Sequence, residues 1–345
     1  KANGQKAFQN HGCQIIHMQD FWQDEPILKQ ELKLVGDTIR EAVESSHGFI
    51  RPILLSHVQS GGKMLRPALV LLCAKLGKEF PREEAIRVAS VMEMIHLASL
   101  VHDDIIDTAK KRRGMATIFA QVGAKQAVLA GDYLLAKALS LISGKEKQIE
   151  SAVVSNALSR LCESELEQDA GQGDYFISKQ TYFKRIGGKT ASLFALSCYA
   201  GASTANLSPV EKMVCHRIGY AMGMAFQIQD DILDYIGSDK KLGKLTGNDL
   251  KCGIPTLPLL LALESEQQEA VKELKMLLTS KKTMMNASSV KKGVSQVIAL
   301  GGVQKADSIA ESYRMRALRD IESLQNQEVA KQLVRLFKKL AVRSA

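Results

Sequence analysis

The sequence predicts an all-α protein of about ten or more helices. Three observations carry this. Segments of roughly 15 to 28 residues repeat apolar side chains at three-to-four spacing, the period of one helix face. The text is rich in Leu, Ala, Glu and Lys and holds only 7 prolines in 345 residues, a composition that favours helix. No stretch alternates apolar and polar residues as a half-buried strand does, and no hairpin signal stands out.

Residues 1–22 show no periodicity and are expected to form a loose leader. Residues 23–345 read as one domain, because no low-complexity linker divides them. Breakers mark the helix boundaries: "SGGK" at Ser60–Lys63, "GKEFPREE" around Pro81, "RRG" ending at Gly114, "LISGK" around Gly144, and "STANLSP" before Glu211. Two segments, "ALVLLCAKLG" and "TASLFALSCYAGA", are apolar on nearly every side, which places them at the centre of a bundle.

A net charge of +9 fits phosphorylated small molecules, nucleic acid or an acidic membrane surface as partners, and equally a plain basic surface. Cys13, Cys73, Cys162, Cys198, Cys215 and Cys252 are scattered without CxxC or Cys/His ligand spacing. They read as reduced thiols of a reducing compartment. No continuous apolar run approaches the roughly 18 residues of a spanning helix. The chain begins at Lys1 rather than Met, so a processed or truncated N-terminus is expected and no targeting peptide is visible.

The informative stretch is "LASLVHDDIIDTAKKRRG", Leu97 to Gly114. An apolar run ends in Asp103, Asp104 and Asp107, and the sign of the charge then reverses. Asp103 and Asp107, four apart, share one helix face, as do Asp230 and Asp234 of "FQIQDDILDYIG", which also holds Asp231. Like charges at that spacing repel. The flanking Leu100, Val101, Ile105 and Ile106, and Ile228, Ile232 and Leu233, deepen the cost by desolvation. A solvated acidic face explains one such motif; two in matching apolar surroundings argue for a bound cation. Oxygen-only donors favour a hard ion, Mg²⁺ before Ca²⁺, held by one or two carboxylates plus substrate phosphates. In a bundle, two such clusters can face one another across a cavity and grip one diphosphate.

Diphosphate binding also needs cations. "GGKMLRP" offers Lys63 and Arg66, "KKRRG" offers Arg112 and Arg113, "GGKT" offers Lys189 with Thr190, and "LGKLTGND" offers Lys244. A Walker A reading of "GGKT" fails, because Phe183 stands where that motif needs glycine and no strand precedes it. His96 falls on the Asp103 face. His102 points about 100° away from Asp103, which suits a structural role.

In order and spacing, "GGKMLRP", "HLASLVHDDIID…RRG", "GGKTASLF", "FQIQDDILDY" and "LGKLTGNDLKCGIPTLP" resemble the trans-isoprenyl (polyprenyl) diphosphate synthases, over roughly residues 24–345. The resemblance implies an isoprenoid synthase fold, an antiparallel helix bundle around a deep central cavity, usually as a homodimer. It implies successive 1′-4 condensation of isopentenyl diphosphate onto an allylic diphosphate with two to three Mg²⁺ ions per site. Carried over by motif, Asp103 and Asp107, with Asp104, hold Mg²⁺ on the allylic diphosphate, and Asp230, with Asp231 and Asp234, holds the further Mg²⁺. Lys63, Arg66, His96 and Arg113 match the isopentenyl diphosphate pocket; Arg112, Lys189 and Lys244 match contacts to the allylic diphosphate. Thr190 and Gln227 match polar groups beside the reacting carbon. The sequence departs from the family in extra basic residues, Lys110 and Lys111 before Arg112 and Lys240 and Lys241 before Lys244, which read as surface.

In this family the residues just before the first aspartates gate product length. Ala98 and Ser99 are small, where relatives that stop at fifteen carbons usually carry an aromatic. The stretch from Ile86 to Asp103 gives a helix about 27 Å long, with Met92, Met94 and Ile95 as candidate wall residues. A medium-to-long product of the solanesyl type, for quinone side chains, is expected. The alternatives are a geranylgeranyl diphosphate synthase or a subunit of a heteromeric synthase. A terpene cyclase is disfavoured by "QDDILD", and a nucleic-acid binder leaves both aspartate pairs unexplained. The resemblance further suggests a plastid or mitochondrial enzyme, without a transmembrane segment and with possible membrane-surface association for product release.

Overall fold

The computed structural model describes residues 21–59, 62–142, 151–237, 246–279 and 285–341. Of the expected leader 1–22, Phe21 and Trp22 are described, and both are buried. Lys240, Lys241, Lys244 and Cys13 lie outside the described residues.

The helices in chain order are α1 (Pro26–Glu44), α2 (Ile50–Gln59), α3 (Leu65–Ala74), α4 (Arg82–Ile106), α5 (Ile118–Val122), α6 (Ala124–Ile142), α7 (Ser151–Ala170), α8 (Lys179–Ile186), α9 (Ser192–Thr204), α10 (Pro209–Ile236), α11 (Asn248–Cys252), α12 (Leu257–Leu263), α13 (Gln268–Thr279), α14 (Ala287–Ala299), α15 (Gly302–Glu322) and α16 (Gln327–Ala341). A π-helical turn, Gly187–Ala191, joins α8 to α9. The all-α expectation holds, with one correction. Lys111–Arg112 (β1) pairs antiparallel with Met115–Ala116 (β2). Arg113 (φ 51°) and Gly114 (φ 79°) form the two-residue turn between them, as a tight hairpin requires. The signal was missed because the strands are two residues long and Arg-Gly replaces the usual Asn-Gly.

The chain forms two compact units, residues 1–68 with 90–143, and residues 69–89 with 144–345. In the first, α1 packs on α2 and α6 through Leu28, Leu32, Val35, Ile39 and Val43, spaced at three to four and each at most 1% exposed. Pro26 starts α1, where its missing N–H costs nothing. Gly131 of α6 lies against the His102 ring: a Cβ there would sit 2.2 Å from Nε2. His102 also lies 3.4 Å from Asp132 Oδ1, so its contacts are structural, as expected.

In the second unit α9 and α10 pack along their length, and α15 covers α10. Nearly every residue of α9 is buried, matching the expectation for "TASLFALSCYAGA". Ser208 and Glu211 form a reciprocal capping box at the start of α10, satisfying two backbone N–H groups. The thiols of Cys73, Cys198 and Cys215 are free and buried. Among the described residues one helix, α4, is long and apolar enough to cross a membrane by length and composition, yet 67% of its most apolar window is buried inside the protein. The sequence reading sought an unbroken apolar run; Glu93 and His96 interrupt it without lowering the average enough.

Candidate active site

In the first unit the end of α4 presents the first aspartates. At 100° per residue, Met92, His96, Ser99 and Asp103 fall on one stripe, with Asp107 a turn further. Asp103 is half-buried and Asp107 exposed. Asp104 is different: it is 2% exposed and accepts from Arg112 Nε at 2.8 Å. The hairpin explains how the basic run returns to the aspartates. After α4, Thr108 turns left-handed (φ 48°), Ala109 N–H bonds back to Asp104 O, and β1 brings Arg112 to Asp104. Thus the charge reversal in "HDDIIDTAKKRRG" is in part an internal ion pair.

Arg66, Glu93, His96, Arg113 and His57 form a charged group in the same unit. Burial lowers Arg66 to about 10, with Glu93 opposing. Burial likewise raises the Glu93 carboxyl, with Arg66 and Arg113 opposing. His96 is held well below its usual value by burial and then by Arg66, Arg113 and Arg112. Gly62 lies beside Arg113: a Cβ there would meet Nη1 at 3.1 Å. Lys63 lies with its Nζ 4.6 Å from the centroid of the Phe21 ring. Glu93 was missed in the sequence, although a lone acid inside "VASVMEMIHLASL" was the available signal.

These histidines give a stability prediction. His57, His96 and His216 are all lowered from 6.5, in each case chiefly by burial. Below pH 6.5 the unfolded chain therefore binds more protons than the folded one. Their contribution is full above that pH and is lost as pH falls. Glu93, raised from 4.5, acts in the opposite sense above that value. The unfolding midpoint is expected to drop from pH 7 to pH 5.5, with a slope of up to about 1.4 kcal/mol per pH unit per neutral histidine. His96→Asn should flatten part of that slope; a midpoint constant across the window would refute the assignment.

In the second unit the π turn carries Lys189 and Thr190. It can lie close to α7 because Gly188 has no side chain: a Cβ there would fall 1.8 Å from Ser164 Oγ and 2.7 Å from Arg160 O. Lys189 Nζ donates to Glu165 Oε2 at 2.8 Å. Thr190 Oγ1 donates to Gln227 Oε1 (2.7 Å), Gln227 Nε2 donates to Asp231 Oδ1 (2.9 Å), and Tyr182 O–H donates to Asp231 Oδ2 (2.6 Å). In this string the Gln227 amide turns its oxygen to Thr190 and its nitrogen to Asp231. Burial pushes Asp231 well above the usual carboxylate range, the Tyr182 and Gln227 bonds opposing. Asp234 accepts the N–H groups of Asn248 and Asp249, each at 3.0 Å, and so caps α11. Asp230 is exposed. Tyr182 and Glu165 were not singled out in the sequence; Tyr182, on α8 just before the π turn, carried no distinctive local pattern.

The donor chemistry fits Mg²⁺ in one way only. Asp103 (half-buried) and Asp107 (exposed) of the first unit and Asp230 (exposed) of the second are more accessible than Asp104 and Asp231, which are buried and make the protein bonds described above, as does Asp234. Among the described residues no three His, Cys, Asp or Glu side chains form a metal cluster. An ion completed by substrate phosphates fits; a closed protein cage does not.

The sequence pattern of the polyprenyl synthetase family matches residues 48–297. The chain belongs to the polyprenyl synthetase family. It is 36% identical over 290 residues to the heptaprenyl diphosphate synthase component 2 of Geobacillus stearothermophilus, covering 84% of this chain and 86% of that one. It is 31% identical to the chloroplastic solanesyl diphosphate synthase 1 of Arabidopsis thaliana, covering 83% and 71%. Among solved structures, the Caulobacter crescentus polyprenyl synthase complexed with calcium and isoprenyl diphosphate superposes with a TM-score of 0.84 at 27% identity, over 95% of this chain and 98% of that one. This polyprenyl synthetase therefore has the all-α isoprenoid synthase fold and is a trans-polyprenyl diphosphate synthase, a prenyltransferase.

Proposed function

We propose that the enzyme extends an allylic diphosphate with isopentenyl diphosphate to a medium-to-long all-trans polyprenyl diphosphate. The Ser99 position carries the chain-length part of this reading. Ser99 is small and partly accessible, lies one turn before Asp103 on the same face, and donates to His96 O at 2.9 Å. Ala98, the other expected gate, is 0% exposed, and Met92, Met94 and Ile95 are as tightly packed. A phenylalanine at 99 would stand where a growing tail must pass; one at 98 would overpack the core.

Asp103, Asp107 and Asp230 would hold Mg²⁺ together with substrate phosphates, and the ion would supply charge that stabilises a departing diphosphate. Lys63, Arg66, His96 and Arg113 bind isopentenyl diphosphate. Neutral His96 donates a hydrogen bond without adding charge. Lys189, held by Glu165, and Arg112, held by Asp104, approach the allylic diphosphate as partly neutralised cations, and Lys244 joins them. Thr190, its proton committed to Gln227, presents oxygen lone pairs to the electron-poor allylic carbon. The apolar wall excludes water from that carbon. As the allylic C–O bond breaks and diphosphate leaves, the double bond of isopentenyl diphosphate attacks the allylic carbon; the tertiary cation that results loses a proton to the departed diphosphate and forms the new double bond.

Labelled isopentenyl diphosphate, Mg²⁺ and primers of several lengths, with products sized by chromatography, test the reading. Wild type is expected to extend past twenty carbons, and Ser99→Phe to stop several isoprene units earlier. An unchanged product length in Ser99→Phe would refute the gate, and no extension with any primer would refute the reading of the chain as a synthase that acts alone. Association as a homodimer is supported by the exposed apolar side chains of α6, Val128 (41%), Leu129 (60%) and Leu139 (51%). A second reading, one subunit of a heteromeric synthase, is favoured by the name of the Geobacillus relative, a component 2. Activity of the purified chain alone decides between them. An organellar location remains part of the proposal, supported by the chloroplastic relative.

A further inference from the structure

We propose that Phe21 and Trp22, which precede the stretch that defines the family, are positioning residues for Lys63 and set the affinity for isopentenyl diphosphate. This rests on the assignment of Lys63 to that substrate. Trp22 is 1% exposed, and its Nε1–H donates to the Lys63 carbonyl at 2.7 Å. The Phe21 ring stands edge-on to Trp22, centroids 4.9 Å apart, and carries the Lys63 ammonium 4.6 Å from its own centroid. Two consecutive aromatics therefore hold the two ends of one lysine: indole on the backbone, benzene ring on the charge.

The backbone needs such a hold. The Lys63 carbonyl belongs to the peptide that enters Met64, whose φ of 52° is the left-handed region that residues with a Cβ avoid unless their surroundings enforce it. An indole N–H is a donor with no alternative role, so it fixes that carbonyl in one direction. The ammonium is a compact charge on a long stem, and a ring face holds one side of it in place. A lysine on a flexible four-carbon stem would otherwise be ordered only on binding, at a cost in affinity.

The proposal predicts a split in the kinetics. Trp22→Phe keeps a ring and loses the donor; Phe21→Leu keeps bulk and loses the aromatic face. With isopentenyl diphosphate varied at saturating allylic diphosphate, each is expected to raise KM for isopentenyl diphosphate about threefold to tenfold, with kcat within about twofold. KM for the allylic substrate should not move. In a Lys63→Ala background neither change should raise KM further, because both act through Lys63. Trp22 is the only tryptophan of the chain, so titration of wild type with isopentenyl diphosphate should change its emission. A loss of kcat and of the unfolding midpoint with KM unmoved would make the pair merely structural and overturn the proposal. Equal increases in KM with or without Lys63, or unchanged emission at saturation, would overturn it too. If Lys63→Ala itself leaves KM for isopentenyl diphosphate unchanged, the assignment of Lys63 fails first and the proposal falls with it.

Discussion

Asp103→Asn is expected to lower kcat by about a hundredfold to a thousandfold, leaving the unfolding midpoint and KM for isopentenyl diphosphate nearly unchanged. The side chain keeps its shape and loses one charge at a half-buried position of α4, a charge that in the proposed mechanism would hold Mg²⁺ beside the departing diphosphate. Asp104→Asn, one residue on, should read differently. Asp104 is 2% exposed and bonded to Arg112, so its neutral variant leaves a partly buried guanidinium without its counter-charge. The result should be a lower unfolding midpoint and a changed KM for the allylic substrate, since Arg112 is freed. Rates over a Mg²⁺ titration, with melting curves, separate the two. Identical behaviour of both variants would refute the division of labour within the motif.

Gly188→Ala is expected to destabilise the protein by about 2–3 kcal/mol and to cost about a hundredfold in kcat. The added methyl would fall 1.8 Å from Ser164 Oγ and 2.7 Å from the Arg160 carbonyl. The serine can rotate, but the carbonyl belongs to the backbone of α7 and must be pushed away. The π turn then shifts, and Lys189 and Thr190 move with it; displacements near 1 Å are enough to lose two orders of magnitude in rate. Ser164→Gly added to Gly188→Ala should recover part of the stability, because it removes one of the two clashes. Wild-type stability in Gly188→Ala would show that α7 yields.

The helical class and the central position of α9 were legible because period and composition are local properties. The aspartate motifs were legible because like charges at one-turn spacing inside apolar sequence need an explanation. What stayed hidden depends on pairing across the chain. Nothing local distinguishes Asp104 from Asp103; the left-handed Thr108 and the hairpin that return Arg112 to Asp104 do. Asp231 and Asp234 look like equal partners of Asp230 until Tyr182 and the N-terminus of α11 are found holding them. Ala98 and Ser99 look interchangeable in sequence, yet only Ser99 retains surface. Trp22 seemed part of an aperiodic leader, because one tryptophan makes no period.

The hydrogen bonds between Tyr182 and Thr190 converge on the Asp231 carboxyl, Tyr182 donating from one side and Thr190, through Gln227, from the other. The Thr190 hydroxyl proton is committed to Gln227 Oε1, which leaves Thr190 an acceptor. In the proposed mechanism an electron-poor carbon beside Thr190 therefore meets oxygen lone pairs rather than a proton. The two bonds that hold Gln227 still would thus fix which end of the Thr190 hydroxyl dipole such a carbon faces.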